Sequence, residues 1–386
     1  MPLPLRLVSL LVATCVGALC PASPAAAADD HSLQRGLDAL VAAPGGPPGV
    51  IVVLRNGDHQ RVLSAGTADI TTGRPLAPDD HTRTASTSKA FSGAVALSLV
   101  REHRLSLDDT IGTRLPHQPR AWRKVTLRQL LQHTSGLPDF SESPRFRGII
   151  QADPHHHFDS RRLLDFVAGE PLRFTPGSRY RYSNSDNIAV ALMAEAATGV
   201  RYENLLRREV YKPLGLRDTS LPQGWEMPEP YMHGYVVGDP SGPVDVSEAI
   251  GMSGVWASGG ITSSPRDLAA FISGYAAGAL TSKAVVREQR HWIPGASEPA
   301  GPGRNSAGLA LFRYDTKCGV VLGHTGNTLG YTQLIAATPD GRRALTFSLT
   351  TQVNQAGNPE LLAKVRAVEE DAVCSLLGTY GAERHS

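Results

Sequence analysis

Three short groups of residues in this chain carry side chains suited to nucleophilic or proton-transfer chemistry. The first is Ser86-Thr87-Ser88-Lys89, at the head of an apolar stretch. Residues three apart on a helix share a face, so a serine in the first turn and a lysine one turn later bring hydroxyl and amine within reach. A partly desolvated lysine beside another cation has a lowered pKa and could accept the serine proton. The helix N-terminus adds N–H groups without carbonyl partners, one of which could face a developing oxyanion. The second group, Tyr182-Ser183-Asn184, offers a phenol that could relay protons as phenolate and an amide that could hold the nucleophile region and a substrate carbonyl. The third, His324-Thr325-Gly326, ends the apolar run 320–322. Each also has an ordinary reading: Ser86 as a helix cap, 182–184 as a turn that starts a helix, 324–326 as a hairpin turn. No group decides the matter alone.

The elements that must position these groups follow from the pattern around them. A Pro/Gly-rich stretch, 44–49, separates a helical lead-in at 33–41 from a β-branched strand at 50–54. Asn56-Gly57 supplies the φ > 0 residues of a tight turn, and 61–66 returns as a second strand. After Ser86, Phe91, Val95, Leu97, Leu99 and Val100 recur at near-helical spacing. Helical pieces at 127–131, 162–168, 187–197 and 202–210 follow, divided by Pro-rich loops. The small-residue segment 257–264 leads into a helix capped by Ser264 with Pro265 at its first position. Strands return at 319–323, 331–337 and 344–349, and an amphipathic helix at 361–377 closes the chain. Strands at both ends with helices between them predict an α/β (α+β) domain interrupted by a mostly helical subdomain, about 105–253.

A chain of 386 residues with 41% hydrophobic content can bury a full core, and a formal charge of +2 gives no grip on nucleic acid or an anionic membrane. Residues 1–28 read as a secretory signal peptide: Arg6, the apolar run 7–19, then the alanine tract 25–28 ahead of Asp29-Asp30. The run is too short to span a bilayer, and no later stretch is apolar for long enough. The mature protein, 29–386, is therefore expected outside the cell, unanchored and monomeric. Removing the signal takes Cys15 and Cys20 and leaves Cys318 and Cys374 in an oxidising compartment, where a disulfide follows, with two buried free thiols as the alternative. In the chain-entropy model such a loop closure contributes about 4 kcal/mol.

Taken together and in this order, the three groups resemble the signatures Ser-x-x-Lys, Tyr-x-Asn and His/Lys-Thr/Ser-Gly of the serine penicillin-recognising family. The likeness extends to 126–137, Pro176-Gly177, 213–216 and 323–331, and so to nearly the whole mature chain. It is nearest to the branch of class C β-lactamases and secreted actinomycete DD-carboxypeptidases. The resemblance implies a β-lactamase-like fold, an antiparallel sheet flanked by helices, and acyl transfer without metal or cofactor. It assigns Ser86 as nucleophile, Lys89 and Tyr182 as the proton-transfer pair, and Asn184, His324, Thr325, Gly326 and Asn327 to substrate binding, with His324 at the site edge. The backbone N–H groups of Ser86 and Asn327 would form the oxyanion hole, and Cys318 and Cys374 match the single disulfide of the carboxypeptidase. One departure stands out: Phe312 occupies the place of the arginine that receives the substrate carboxylate there. The adjacent Arg313 would replace it only through a β-bulge. The resemblance favours a D-alanyl-D-alanine carboxypeptidase or related D-peptidase acting on a small peptide, with a β-lactamase or esterase of the same fold as the alternative for a β-lactam or ester substrate. A binding protein without turnover stands outside both.

Other residues invite a function. His155-His156-His157 lack an acidic or cysteine partner at ligand spacing and read as a solvated loop. His133 reads as a packing residue, Trp256 as either a wall of the site or a core residue, and Asp186 as a cap.

Overall fold

The computed structural model describes residues 24–378. Most of the segment read as a signal peptide, through residue 23, lies outside the described residues; helix α1 (Pro24–Val41) begins immediately after it. Eight strands form one antiparallel sheet: β1 (Gly49–Asn56), β2 (His59–Gly66), β3 (Ile293–Pro294), β4 (Arg304–Ala307), β5 (Phe312–Thr316), β6 (Gly319–Thr328), β7 (Tyr331–Ala337) and β8 (Arg343–Leu349). Their order across the sheet is β2-β1-β8-β7-β6-β5-β4-β3, so the N-terminal hairpin is completed by strands from the far end of the chain. The β-branched run of β1 is buried from Gly49 to Leu54 because it lies between two strands and under helices on both faces. In the hairpin, Asn56 pairs with His59, so Gly57 at φ +57° and Asp58 make the turn, one residue later than the Asn-Gly pair implies.

Two layers of helix enclose the sheet. On one face lie α1 and α5 (Pro359–Leu377), whose Leu361, Val365, Val368, Ala372 and Leu376 form an apolar stripe against β1, β6 and β8. The Asn358 side chain caps α5 by accepting from Leu361 N–H at 2.9 Å. On the other face, α4 (Pro265–Ala277) is capped by Ser264, which accepts from Asp267 N–H at 3.2 Å, with Pro265 at the first position. Beyond it lies the helical part, centred on α2 (Ser88–Arg101) and α3 (Asn184–Thr198). Helix α2 is buried all round from Ser88 to Leu99, so it is a core helix with weak amphipathicity. Together α2 and α4 extend the helical layer past both ends of the 105–253 segment.

Cys318, at the turn into β6, and Cys374, on α5, are in disulfide contact with Cα atoms 5.2 Å apart. Among the described residues no helix is long and apolar enough to cross a membrane.

Candidate active site

Ser86 sits in a single tight helical turn, Ala85–Thr87, that runs directly into α2. Ala85 just before it is held at φ +50°, a left-handed conformation that costs a non-glycine residue on the order of 1 kcal/mol. The turn is fixed on one side by Thr84, whose hydroxyl donates to Ile261 O at 2.9 Å. On the other side Gly326 of β6 presses on it: a Cβ there would lie 2.4 Å from Thr84 O and 3.2 Å from Ser86 N. Only glycine lets the strand approach this closely. Ser86 remains partly accessible while Lys89, one turn along α2, is fully buried.

The Lys89 amine has three neighbours at hydrogen-bond distance: Ser86 Oγ at 3.0 Å, Asn184 Oδ1 at 2.8 Å and the Ser258 carbonyl at 2.7 Å. Two of these, an amide oxygen and a peptide carbonyl, can only accept. A neutral amine has two hydrogens and one lone pair, so satisfying both acceptors leaves the lone pair aimed at the remaining neighbour, the Ser86 hydroxyl. Burial pushes the Lys89 pKa down to about 7, against the opposing pull of Asp139, Glu298 and Asp186. A substantial neutral fraction therefore exists at physiological pH.

Asn184 is held in turn. Its Nδ2 donates to Asp139 Oδ2 at 3.0 Å and accepts no further role, since its second hydrogen goes to Ser141 Oγ at 3.1 Å; its backbone N–H donates to the same carboxylate at 2.8 Å. Both amide hydrogens are committed, so in this arrangement Asn184 positions Lys89. Tyr182 lies on the adjacent wall, its ring centroid 4.8 Å from the Lys89 amine and its hydroxyl facing Ser86 without completing a hydrogen bond. Burial raises its pKa well above the usual value. The resting group is thus a neutral phenol. Behind Tyr182 stands His133, rings 4.5 Å apart, whose Nδ1 is 2.8 Å from Asp186. Asp186 also accepts from Ser135 at 2.5 Å. It is a buried anchor rather than a helix cap, because its carboxylate faces these two groups and not the α3 backbone.

Strand β6 outruns its neighbour: β5 pairs with it only as far as Gly323, which leaves one edge of 324–328 open beside the Ser86 turn. Thr328 and Tyr331 close a two-residue turn and form the hydrogen-bonded pair, so by ladder alternation the Asn327 N–H points off the open edge. The Asn327 side chain is turned away, donating to Thr332 Oγ1 at 3.0 Å and Val353 O at 2.6 Å. Thr325 donates to Pro299 O at 2.6 Å. His324 departs from the expected edge position: it is fully buried, edge-on to the Phe312 ring at 5.0 Å, and burial pushes its pKa down to about 3. The imidazole therefore lies beneath the wall and not at the site edge.

A cavity of about 710 Å³ opens over Ser86, with Tyr182, Asn184, Asn327, Phe140, Val255, Glu298, Leu362 and Arg366 on its walls. Phe312 does not reach it and lies in the core. The β5–β6 register runs without a skip, so no bulge brings Arg313 inward; its Nη2 is bound to Asp315 at 2.6 Å. Trp256 is a core residue, fully buried and donating to Glu203 at 3.0 Å. His155 stacks on Trp225, and among the described residues no cluster of His, Cys, Asp or Glu could hold a metal ion. Sequence reasoning passed over Asp139, Ser141, the Ser258 carbonyl and Glu298. Asp139 had a weak signal, an Asp followed two residues later by Ser, the pattern of a side chain capping a short turn.

An antiparallel sheet between helical layers, with a serine and a buried lysine at the head of the central helix, is the architecture of the β-lactamase-like fold. The family model described as Beta-lactamase matches residues 37–369, and the chain belongs to that family. Among curated relatives it is 30% identical over 195 residues to Penicillin-binding protein 4* of Bacillus subtilis (strain 168), covering 49% of this chain and 42% of that protein. It is 28% identical over 312 residues to a D-aminopeptidase of Cereibacter sphaeroides, covering 78% and 56%. The chain thus spans about half the length of the curated relatives it matches. Among solved structures, a D-stereospecific amidohydrolase from Streptomyces sp. superposes with a TM-score of 0.75 at 28% identity, covering 87% of this chain and 98% of that one. The D-amino acid amidase of Ochrobactrum anthropi SV3 shares the fold, with a TM-score of 0.77 at 24% identity over 90% and 99% of the two chains.

Proposed function

We propose that this protein is an exported serine hydrolase that cleaves amide bonds of D-amino-acid substrates through an acyl-enzyme on Ser86. The observation that carries the reading is the Lys89 amine, 3.0 Å from Ser86 Oγ with its other two neighbours pure acceptors. Neutral Lys89 takes the Ser86 proton as Oγ bonds to the substrate carbonyl carbon, with the N–H groups of Ser86 and Asn327 facing the oxyanion. The C–N bond then breaks, and the proton passes from the Lys89 ammonium to the leaving nitrogen, with the neutral Tyr182 phenol beside Ser86 as relay. Water attacks the resulting ester by the same steps in reverse, releasing the acid and restoring Ser86.

Similarity to a D-aminopeptidase and a D-stereospecific amidohydrolase supports D-amino-acid amides and peptides as the substrate class. The carboxypeptidase form of the activity has less support, because Phe312 is buried and Arg313 is bound to Asp315, leaving no cation on β5 for a terminal carboxylate. The test is covalent labelling by a fluorescent penicillin and by p-nitrophenyl acetate, read by mass spectrometry. We expect an adduct on the Ser86 peptide and none on Ser86→Ala. Labelling of Ser86→Ala at the wild-type rate, or no adduct from either probe on the wild type, would contradict the reading.

A further inference from the structure

We infer that Glu298 is a specificity residue that binds the free ammonium group of the substrate's acyl portion, so that the enzyme prefers substrates with an uncapped amine. The inference rests on the acyl-enzyme reading above and adds the substrate's charge to it. Glu298 shares the cavity with Ser86, and among the described residues the charged side chains on its wall are Glu298 and Arg366. Arg366 is engaged in holding the loop, donating from Nε to Gly301 O at 3.0 Å and from Nη2 to Gly303 O at 2.9 Å. Glu298 has no hydrogen bond or ion pair among the described residues. The nearby Arg181 is directed at Glu142, 3.6 Å away.

The carboxylate without a partner stands on a segment that is otherwise pinned. Ser297 Oγ is 3.0 Å from Tyr314 OH, and Pro299 O accepts from Thr325 at 2.6 Å. The residues on both sides of Glu298 are therefore fixed to the sheet; all three line the cavity, and Glu298 is the one that is solvent-exposed with its side-chain bonding capacity unused. A preorganised anion of this kind gains most from a ligand cation, since ordering the loop adds no further entropy cost. Lys89 reinforces the polarity: a charged Lys89 ammonium favours the ionised form of the solvent-exposed Glu298. Once Lys89 is neutral, a substrate ammonium is the available counter-charge at this end of the site.

The test compares D-alanine p-nitroanilide with N-acetyl-D-alanine p-nitroanilide on the full chain. We expect the wild type to favour the free amine by at least tenfold in kcat/KM, and Glu298→Gln to bring the ratio of the two substrates to near one. Glu298→Asp is expected to keep part of the preference, which a merely structural role for the loop would not do. Three results would overturn the inference: a preference for the acetylated substrate, a free-amine preference unchanged in Glu298→Gln, or hydrolysis of neither anilide. Each of these, accompanied by normal penicillin labelling of Ser86, would leave the acyl-enzyme reading intact. Loss of Ser86 labelling in the wild type would instead remove the reading on which the inference rests.

Discussion

At one end of the cavity, Lys89 commits all of its hydrogen-bonding capacity to Ser86, Asn184 and the Ser258 carbonyl, and Asn184 is itself locked by Asp139 and Ser141. Elsewhere on the same wall, the exposed Glu298 stands between pinned neighbours with no side-chain partner. The first end is closed and self-sufficient, which is what a proton-transfer group with a tuned pKa requires, because its environment must be the same in every turnover. The second is rigid but incomplete, which is what a recognition group requires, because its partner arrives with the substrate. Bond-making and the proposed recognition thus fall to different residues of a single cavity.

Changes at the closed end should have the larger effect. Replacing the amine in Lys89→Met removes the base and leaves Asn184 Oδ1 and the Ser258 carbonyl without their donor. We expect acylation of Ser86 to slow by about 10³-fold, within the range ascribed to a positioned general base; stopped-flow labelling measures it. A loss of less than tenfold would place the base elsewhere. Gly326→Ala probes the strand that both ends share. Its Cβ would meet Thr84 O at 2.4 Å, so the turn carrying Ser86 must shift by a fraction of an ångström. A drop in kcat/KM of about 10- to 100-fold is expected from such a misplacement, with the fold retained by circular dichroism. Unchanged turnover would show that the close approach of β6 to the nucleophile has no catalytic consequence.

The sequence made the closed end legible because its chemistry is written in contiguous groups. Ser86 and Lys89 are one helical turn apart, Tyr182 and Asn184 flank the N-cap of α3, and Gly326 marks the strand approach, so local spacing already implies shared geometry. The hairpin of β1 and β2, the capped helix after Ser264 and the closing helix α5 were legible for the same reason: each follows from periodicity and local capping. Strand β5 entered only by resemblance, since 312–316 is short and carries charges on its outer side. The recognition end was hidden because Glu298 sits in an irregular loop, and its significance comes from the pinning of Ser297 and Pro299 by residues of other strands. Asp139 was missed because it acts on Asn184, 45 residues away. Asp186 and His324 were misread because sequence does not show burial, and burial is what makes one an anchor and the other uncharged.

The most direct test of the central claim, that a desolvated Lys89 activates Ser86, is the pH dependence of the Ser86 acylation rate. A base must be neutral to accept a proton, so activity belongs to the form present above its pKa. Burial pushes the Lys89 pKa down to about 7, with Asp139, Glu298 and Asp186 opposing the shift. The rate of adduct formation with an uncharged ester is expected to rise about tenfold per pH unit at acid pH, bend near pH 7 and then level off. A rate still rising tenfold per unit through pH 9, as an ordinary solvated lysine would give, or one flat down to pH 5, would contradict the account.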